Sequence, residues 1–182
     1  NMYGLLHAIQ HHIEVRFEYE KFWNFAKEKN QRTVRPLALK EARYRWYLIA
    51  EDKKDGAIKS FGLDRISHLE ISATRFEYPN SFHLDAKFKH AFGIISGEED
   101  AEKIQLWLNR EQGNYIKSLP LHHSQKIISE TNSELILELF VCPTHDFVME
   151  LLSMGANVKV LEPKSLQQKV KAKLLDAAKL YE

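Results

Sequence analysis

Three observations predict a chain of mixed α and β class. Five short strand-like runs follow one another between Val15 and Ser72, joined by tight turns with almost no helix between them, as in a small barrel or strongly curved sheet. From Phe76 to Gly97 periodicity is lost, and Pro79, Asn80, Gly93 and Gly97 punctuate the stretch. Beyond it the elements run β-α-β-β-α-β with one further helix, a split-βαβ order. Together these give a small Sm-like or SH3-like β-barrel followed by a ferredoxin-like α+β domain. The expected boundaries are a linker helix over 1–13, the barrel over 14–75, a connecting segment over 76–100 and the second domain over 101–182.

Each element has a local reason. Leu5, Ile9 and Ile13 recur at helical spacing, with Leu6 beside them, so Met2–His12 reads as a short amphipathic helix. Val15, Phe17 and Tyr19 alternate with Arg16 and Glu18, the period-2 mark of a half-buried strand. Further strands are expected at Thr33–Leu39, Tyr44–Ala50, Ala57–Leu63 and Ile66–Ser72, with an Asp55-Gly56 hairpin turn between the second and third of these. Asp85–His90 reads as a helical turn. In the second half, Lys103–Leu108, Ile127–Ser129, Leu135–Val141 and Val158–Leu161 are strand-like. Arg110–Ser118 is a helix that Gly113 interrupts. Thr144 is placed to cap a helix over His145–Ser153, which Gly155 ends. Ser165 with Gln168 forms a capping-box entry to a last helix, Leu166–Leu180.

The bulk numbers narrow the function. Hydrophobic residues make up 44% and charged residues 28% of the 182, the balance of an ordinary globular protein. The net charge is +1, yet Arg16–Arg45 carries nine basic residues against four acidic ones, which suits an anionic ligand for the first half as well as an ordinary solvated face. A single cysteine, Cys142, excludes a disulfide framework and a cysteine zinc cage and agrees with a cytoplasmic location. No apolar run approaches the roughly 20 residues of a membrane span, so no membrane partner is expected. The motifs of phosphate loops, Rossmann folds, zinc proteases and serine hydrolases are missing. Cys142 and His145 are close in sequence, but a cysteine ending an apolar strand is more often a small buried hydrophobe. His7 and His11 could share a metal ion only with further ligands that nothing supplies. No enzyme, no cofactor and no metal site is therefore expected.

Two features of the first half point to binding. The stretch Lys21–Arg32 interleaves Phe22, Trp23 and Phe25 with Lys21, Lys27, Lys29 and Arg32. Aromatic faces stack bases while cations meet phosphates, although such rings serve equally well packed inward or at a dimer contact. The second feature is Arg45–Leu48 with Phe61–Ile66. Alternation puts Tyr44, Trp46 and Leu48 on one face and Arg45, Tyr47 and Ile49 on the other, so Trp46 and Leu48 are expected to build the barrel. Arg65 is either locked against Asp64 or aimed at an anion. Lys21, Trp23, Lys27 and Arg45 are the candidate nucleic-acid contacts.

The runs Val34-Arg35-Pro36-Leu37, Arg45-Trp46-Tyr47-Leu48-Ile49-Ala50 and Phe61-Gly62-Leu63-Asp64-Arg65-Ile66 resemble the core of the WYL domain, in order and approximate spacing. Leu121-His122-His123-Ser124-Gln125, the helix that ends before Gly155, and Val158–Pro163 resemble the C-terminal extension of WYL proteins. The resemblance implies the ligand-sensing and dimerisation portion of a bacterial transcriptional regulator. Its barrel would take single-stranded nucleic acid or a nucleotide-like anion. A DNA-binding winged helix-turn-helix domain, N-terminal to the barrel and not in this chain, would meet promoter DNA. Alternatives are a small-molecule metabolite effector domain and a purely structural dimerisation module. By family position Tyr19, Tyr47 and Arg65 are the implied ligand contacts, with Arg35 and Ser60 as lesser ones. Two positions depart from the family: Gly62 and Lys59 stand where arginine is common.

Overall fold

Alternation decides the first unit. In β1 (Ile13–Glu20), Val15, Phe17 and Tyr19 point to one side and are buried. β2 (Lys29–Ala42), β3 (Arg45–Asp52), β4 (Ile58–Gly62) and β5 (Ile66–Arg75) complete an antiparallel sheet of order β4-β3-β2-β1-β5, and a 3-10 turn at Leu63–Arg65 leads from β4 to β5. The computed structural model describes residues 1–22, 29–97 and 100–182, and the chain divides into units 1–84 and 85–182. The helix α1 (Met2–His11) lies on β1, β2 and β5, with Leu5 and Ala8 fully buried. Their core partners include Phe17, Leu48 and Phe61. Each such side chain contributes about 2 kcal/mol on burial. His12 ends α1 in the left-handed region (φ 51°).

The mixed α and β class stands, but no sheet is closed, since β4 and β5 are the two edges of the first. The second strand is longer than expected because its pairing with β3 continues outward to Ala42 and Arg45. Arg43 and Tyr44 make the two-residue turn there, both with positive φ (49° and 64°). Asn-Gly is the favoured pair for such a turn, and each ordinary L-residue in that region costs roughly 1–2 kcal/mol. Trp46 does share the Leu48 face, yet it lies beyond the core and is 45% exposed. A strand that outruns its core keeps its alternation but loses its burial. In β5, His68 (φ 50°) sits at a bulge, where the pairing with β1 shifts between Ser67 and Glu70.

The β3–β4 turn is held by a buried carboxylate. Asp52 is 1% exposed and accepts hydrogen bonds from Lys59 Nζ (2.8 Å), Arg32 Nη1 (3.0 Å) and the Lys54 amide (3.0 Å). Burial alone would raise its pKa, but these donors outweigh burial and hold the carboxyl below its usual range. Gly56 supplies the left-handed residue (φ 71°) that the Asp-Gly turn requires.

The second unit begins near a short helix, α2 (Leu84–Phe88), and contains β6 (Glu102–Asn109), α3 (Arg110–Ser118), β7 (Lys126–Glu130), β8 (Glu134–Val141), α4 (His145–Ser153), β9 (Val158–Glu162) and α5 (Lys164–Ala178). The sheet is antiparallel with order β7-β8-β6-β9. Ile104, Leu106 and Leu108 on β6 and Leu135, Leu137 and Leu139 on β8 meet Phe147, Val148 and Leu151 of α4. Asn109 caps α3, its side chain accepting the Gln112 amide at 2.9 Å. Gly113 does not break α3. A Cβ there would lie 2.9 Å from Leu135 Cβ, so the glycine lets the helix lie close against β8.

Two expected caps take another form. Thr144 stands at the N-cap of α4, but its hydroxyl is buried and makes no hydrogen bond. The last helix starts at Lys164, after Pro163, whose carbonyl accepts the Gln167 amide at 3.1 Å. Ser165 thus falls inside the first turn and Gln168 just beyond it.

The Leu121–Gln125 segment ties α3 to β8. Gln125 donates through Nε2 to the Ile116 carbonyl (3.2 Å) and accepts the Leu121 amide (3.0 Å). His122 accepts the Ser124 amide at Nδ1 (3.2 Å), and the Ser124 hydroxyl accepts the Phe140 amide (2.9 Å). Burial, reinforced by the adjacent His123 and by His90, brings the His122 imidazole down to about 4.

Replacing Asp52 with Ala leaves Arg32 and Lys59 without their shared anion and is expected to cost about 3 kcal/mol, measured by urea unfolding. His122 binds its proton more readily unfolded than folded. Stability should therefore fall as pH drops from about 6.5 towards 4, by up to about 1.4 kcal/mol per pH unit. Thermal unfolding across that range should show this slope in the wild type and a flatter one in His122→Gln.

Candidate functional site

The two edges of the first sheet leave a seam, and Tyr19 reaches into it. The ring packs edge-to-face on Phe61 (centroids 5.1 Å apart) and on Phe17 (6.2 Å). Its hydroxyl accepts the Gly62 amide at 3.1 Å. Burial pushes the phenol up more than the Gly62 amide and the Arg65 cation draw it down, so the hydroxyl stays neutral. Among the described residues its own proton has no acceptor.

Arg65 lies on this platform. Its guanidinium carbon is 5.2 Å from the Tyr19 ring centre and 5.0 Å from that of Phe22, on two aromatic rings at once. The side chain is 18% exposed. The Nε atom is buried and has no hydrogen-bond acceptor among the described residues, and the Asp64 Oδ1 oxygen is 3.9 Å away, too far for a hydrogen bond. The other Asp64 oxygen faces Arg45 Nη1 at 3.3 Å.

Gly62 makes this arrangement possible. A Cβ at position 62 would lie 2.8 Å from Arg65 Nη2, 3.0 Å from its Nε and 2.6 Å from Asp64 Oδ1. The space beside the Gly62 backbone is filled by the guanidinium of Arg65 and the carboxylate of Asp64. A glycine at the end of a strand, just before a charged turn, is the sequence signal for such a close approach. The hydrogen bond from Gly62 to Tyr19 has no comparable signal.

The other expected residues divide. Tyr47 pairs with Gly62 across β3 and β4, and Ser60 pairs with Ile49, so Tyr47 and Ser60 are on the face that Gly62 shares. Both are half-buried. Arg45 joins the group through Asp64, and Lys21 is exposed beside Phe22 in sequence. Arg35 is elsewhere, opposite Glu51 on β3, four residues and roughly 13 Å from the level of Tyr47. It donates to Glu51 at 3.0 Å and lies 3.5 Å from the buried Glu14. Lys59 is engaged by Asp52 and Asp55. Trp23 and Lys27 lie outside the described residues. A hollow of about 330 Å³ on the outer face of β1, β2 and β5, where Arg16, Glu18, His68 and Glu70 mix their charges, includes none of the expected contacts.

Among the described residues no cluster of three or more metal-ligating side chains occurs. His7 and His11 are close, their rings 4.4 Å apart, without a third ligand. Cys142 is buried. Among the described residues no helix is long and apolar enough to cross a membrane.

Residues 2–71 match the family model of the WYL domain, and residues 100–178 match that of the WCX domain. Among solved structures, the chain is similar to proteasome accessory factor B/C (PafBC) of Arthrobacter aurescens. The identity is 21%, the TM-score 0.44, and the match covers 98% of this chain and 27% of that one. It is also similar to a CRISPR Cas-related protein, at 15% identity and a TM-score of 0.58, over 98% of this chain and 50% of the other. The second likeness is one of fold. The chain thus spans about a quarter and a half of the lengths of these two proteins. No curated protein matches it by sequence.

Tyr19→Phe keeps the ring but leaves the Gly62 amide without its acceptor. It should lower stability by about 1–2 kcal/mol, read from chemical denaturation.

Proposed function

For a chain that belongs to the WYL-domain family and carries a WCX domain behind the WYL domain, we propose the role of ligand-sensing and dimerisation portion of a bacterial DNA-binding transcriptional regulator. The ligand is an anion, single-stranded nucleic acid or a nucleotide, taken at Arg65. One observation carries this reading. Arg65 is stacked on two aromatic rings and pre-positioned, yet among the described residues its Nε has no acceptor and the Asp64 oxygen nearest to it is 3.9 Å away. A phosphate supplies the paired oxygens that a guanidinium fork matches, and it would meet the exposed end of the Arg65 side chain, which is 18% exposed while its Nε is buried.

The Tyr19 hydroxyl can donate beside it, and Tyr47 and Ser60 line the same side of β3 and β4. Lys21 and Arg45 would meet further phosphates, with Trp23 and Lys27 on the same segment as Lys21. Arg35, paired with Glu51, is the weakest of the expected contacts. The strand orders support reading the first unit as an Sm-like fold with its seam bridged by Tyr19, and the second as ferredoxin-like. Signalling would follow if the ligand bound two arrangements of a homodimer with different affinity. Promoter DNA would be met by a helix-turn-helix domain N-terminal to this chain.

The test is a titration of labelled single-stranded oligonucleotides at several salt concentrations. Affinity should fall steeply with salt, and Arg65→Ala should weaken it by about 10- to 100-fold, as expected for a charge-assisted hydrogen-bond pair. Salt-insensitive binding, or none to any oligonucleotide, would overturn the nucleic-acid reading. A thermal shift from a nucleotide or metabolite panel, without any response to oligonucleotides, would select the small-molecule alternative.

A further inference from the structure

The tip of the β2–β3 hairpin is built at a cost to stability and presents aromatic rings to solvent. Arg43 and Tyr44 both hold left-handed backbone conformations that Asn-Gly would adopt with less strain. Tyr44 is fully exposed, and Trp46 is 45% exposed although Leu48, two residues on, is completely buried. The Arg45 side chain is 56% exposed. Residues 40–46 carry three basic side chains and one acidic one, and that acid, Glu41, accepts the Tyr44 amide at 2.6 Å. The tip is also continuous with the Arg65 site. Arg45 Nη1 and Arg65 Nε face the two oxygens of one carboxylate, Asp64, at 3.3 and 3.9 Å.

We infer that the hairpin tip is a second contact for a single-stranded nucleic acid held at Arg65, with bases stacking on Tyr44 and Trp46 and Arg45 meeting a phosphate between the two sites. The inference rests on Arg65 taking a nucleic acid. It adds that the ligand is a strand rather than a mononucleotide, since Tyr44 lies three residues, roughly 10 Å, beyond the Tyr47–Gly62 pair. Exposed rings flanked by guanidinium groups are the combination that binds single strands without sequence preference. A turn optimised for stability alone would not hold Arg-Tyr in this conformation.

The experiment compares an oligothymidylate of about twelve nucleotides with thymidine monophosphate on the whole chain. Tyr44→Ala should weaken the oligonucleotide about tenfold and leave the monophosphate unchanged. The double replacement Arg43→Asn with Tyr44→Gly should raise the melting temperature while weakening the oligonucleotide, opposite signs that a merely damaged protein cannot give. The oligonucleotide should quench tryptophan fluorescence, and Trp46→Phe should remove part of that quench, the rest being left to Trp23. Wild-type oligonucleotide affinity in Tyr44→Ala and in the double variant would overturn the inference, as would an equal loss for both ligands. An oligonucleotide that fails to bind the wild type defeats the reading of Arg65 itself, whereas wild-type binding that is indifferent to the tip defeats only the second contact.

Discussion

A single hydrogen bond across the seam of the first sheet, from the Gly62 amide to the Tyr19 hydroxyl, is the constraint on which the site depends. The strand order leaves β4 and β5 as edges, and an unpaired edge exposes amides and carbonyls that must be satisfied. Tyr19 comes from β1, beside the opposite edge, and supplies an acceptor to β4 at 3.1 Å. The same ring packs on Phe61 and Phe17 inside the core and carries Arg65 outside it. Core, seam and guanidinium are therefore joined through one side chain. Displacing that ring would disturb all three.

The basic character of Arg16–Arg45 overstates how much positive potential is available to a ligand. Arg32 is paired with the buried Asp52, Arg35 with Glu51, and Lys29 lies 3.4 Å from Glu18. Lys53 and Lys59, further along, are held by Glu14 and by Asp52. These cations neutralise carboxylates within the fold, and several of those carboxylates are too buried to stand alone. Arg65, outside that basic stretch, has instead an aromatic surround and a more distant carboxylate. Its significance comes from what surrounds it, which a charge count cannot register.

Much of the fold was legible because local rules and tertiary packing agree. The alternation of Val15, Phe17 and Tyr19, the Asp55-Gly56 turn and the apolar rows of β6 and β8 each specify a conformation that the core then rewards. The misjudged features are those in which a distant partner decides. Trp46 has the alternation of a core residue, but its strand extends past the core. Gly113 reads as a helix breaker until Leu135 is seen against it. Thr144 and Ser165 have the residue types of caps without the hydrogen bonds. Within the candidate site, Tyr19, Tyr47 and Arg65 could be named from their family positions. The hydroxyl that bridges the seam and the cation lying over Gly62 depend on strands brought together only by folding.

Gly62 has two loads placed on it. Its amide anchors the seam through Tyr19, and the space left by its missing side chain seats the Arg65 guanidinium. The residue thus acts as a shared fulcrum. The space is shared with Asp64, whose Oδ1 would lie 2.6 Å from a Cβ at position 62. A side chain introduced there would thus act on the β4 edge and on the cation together, because both rest on the same residue.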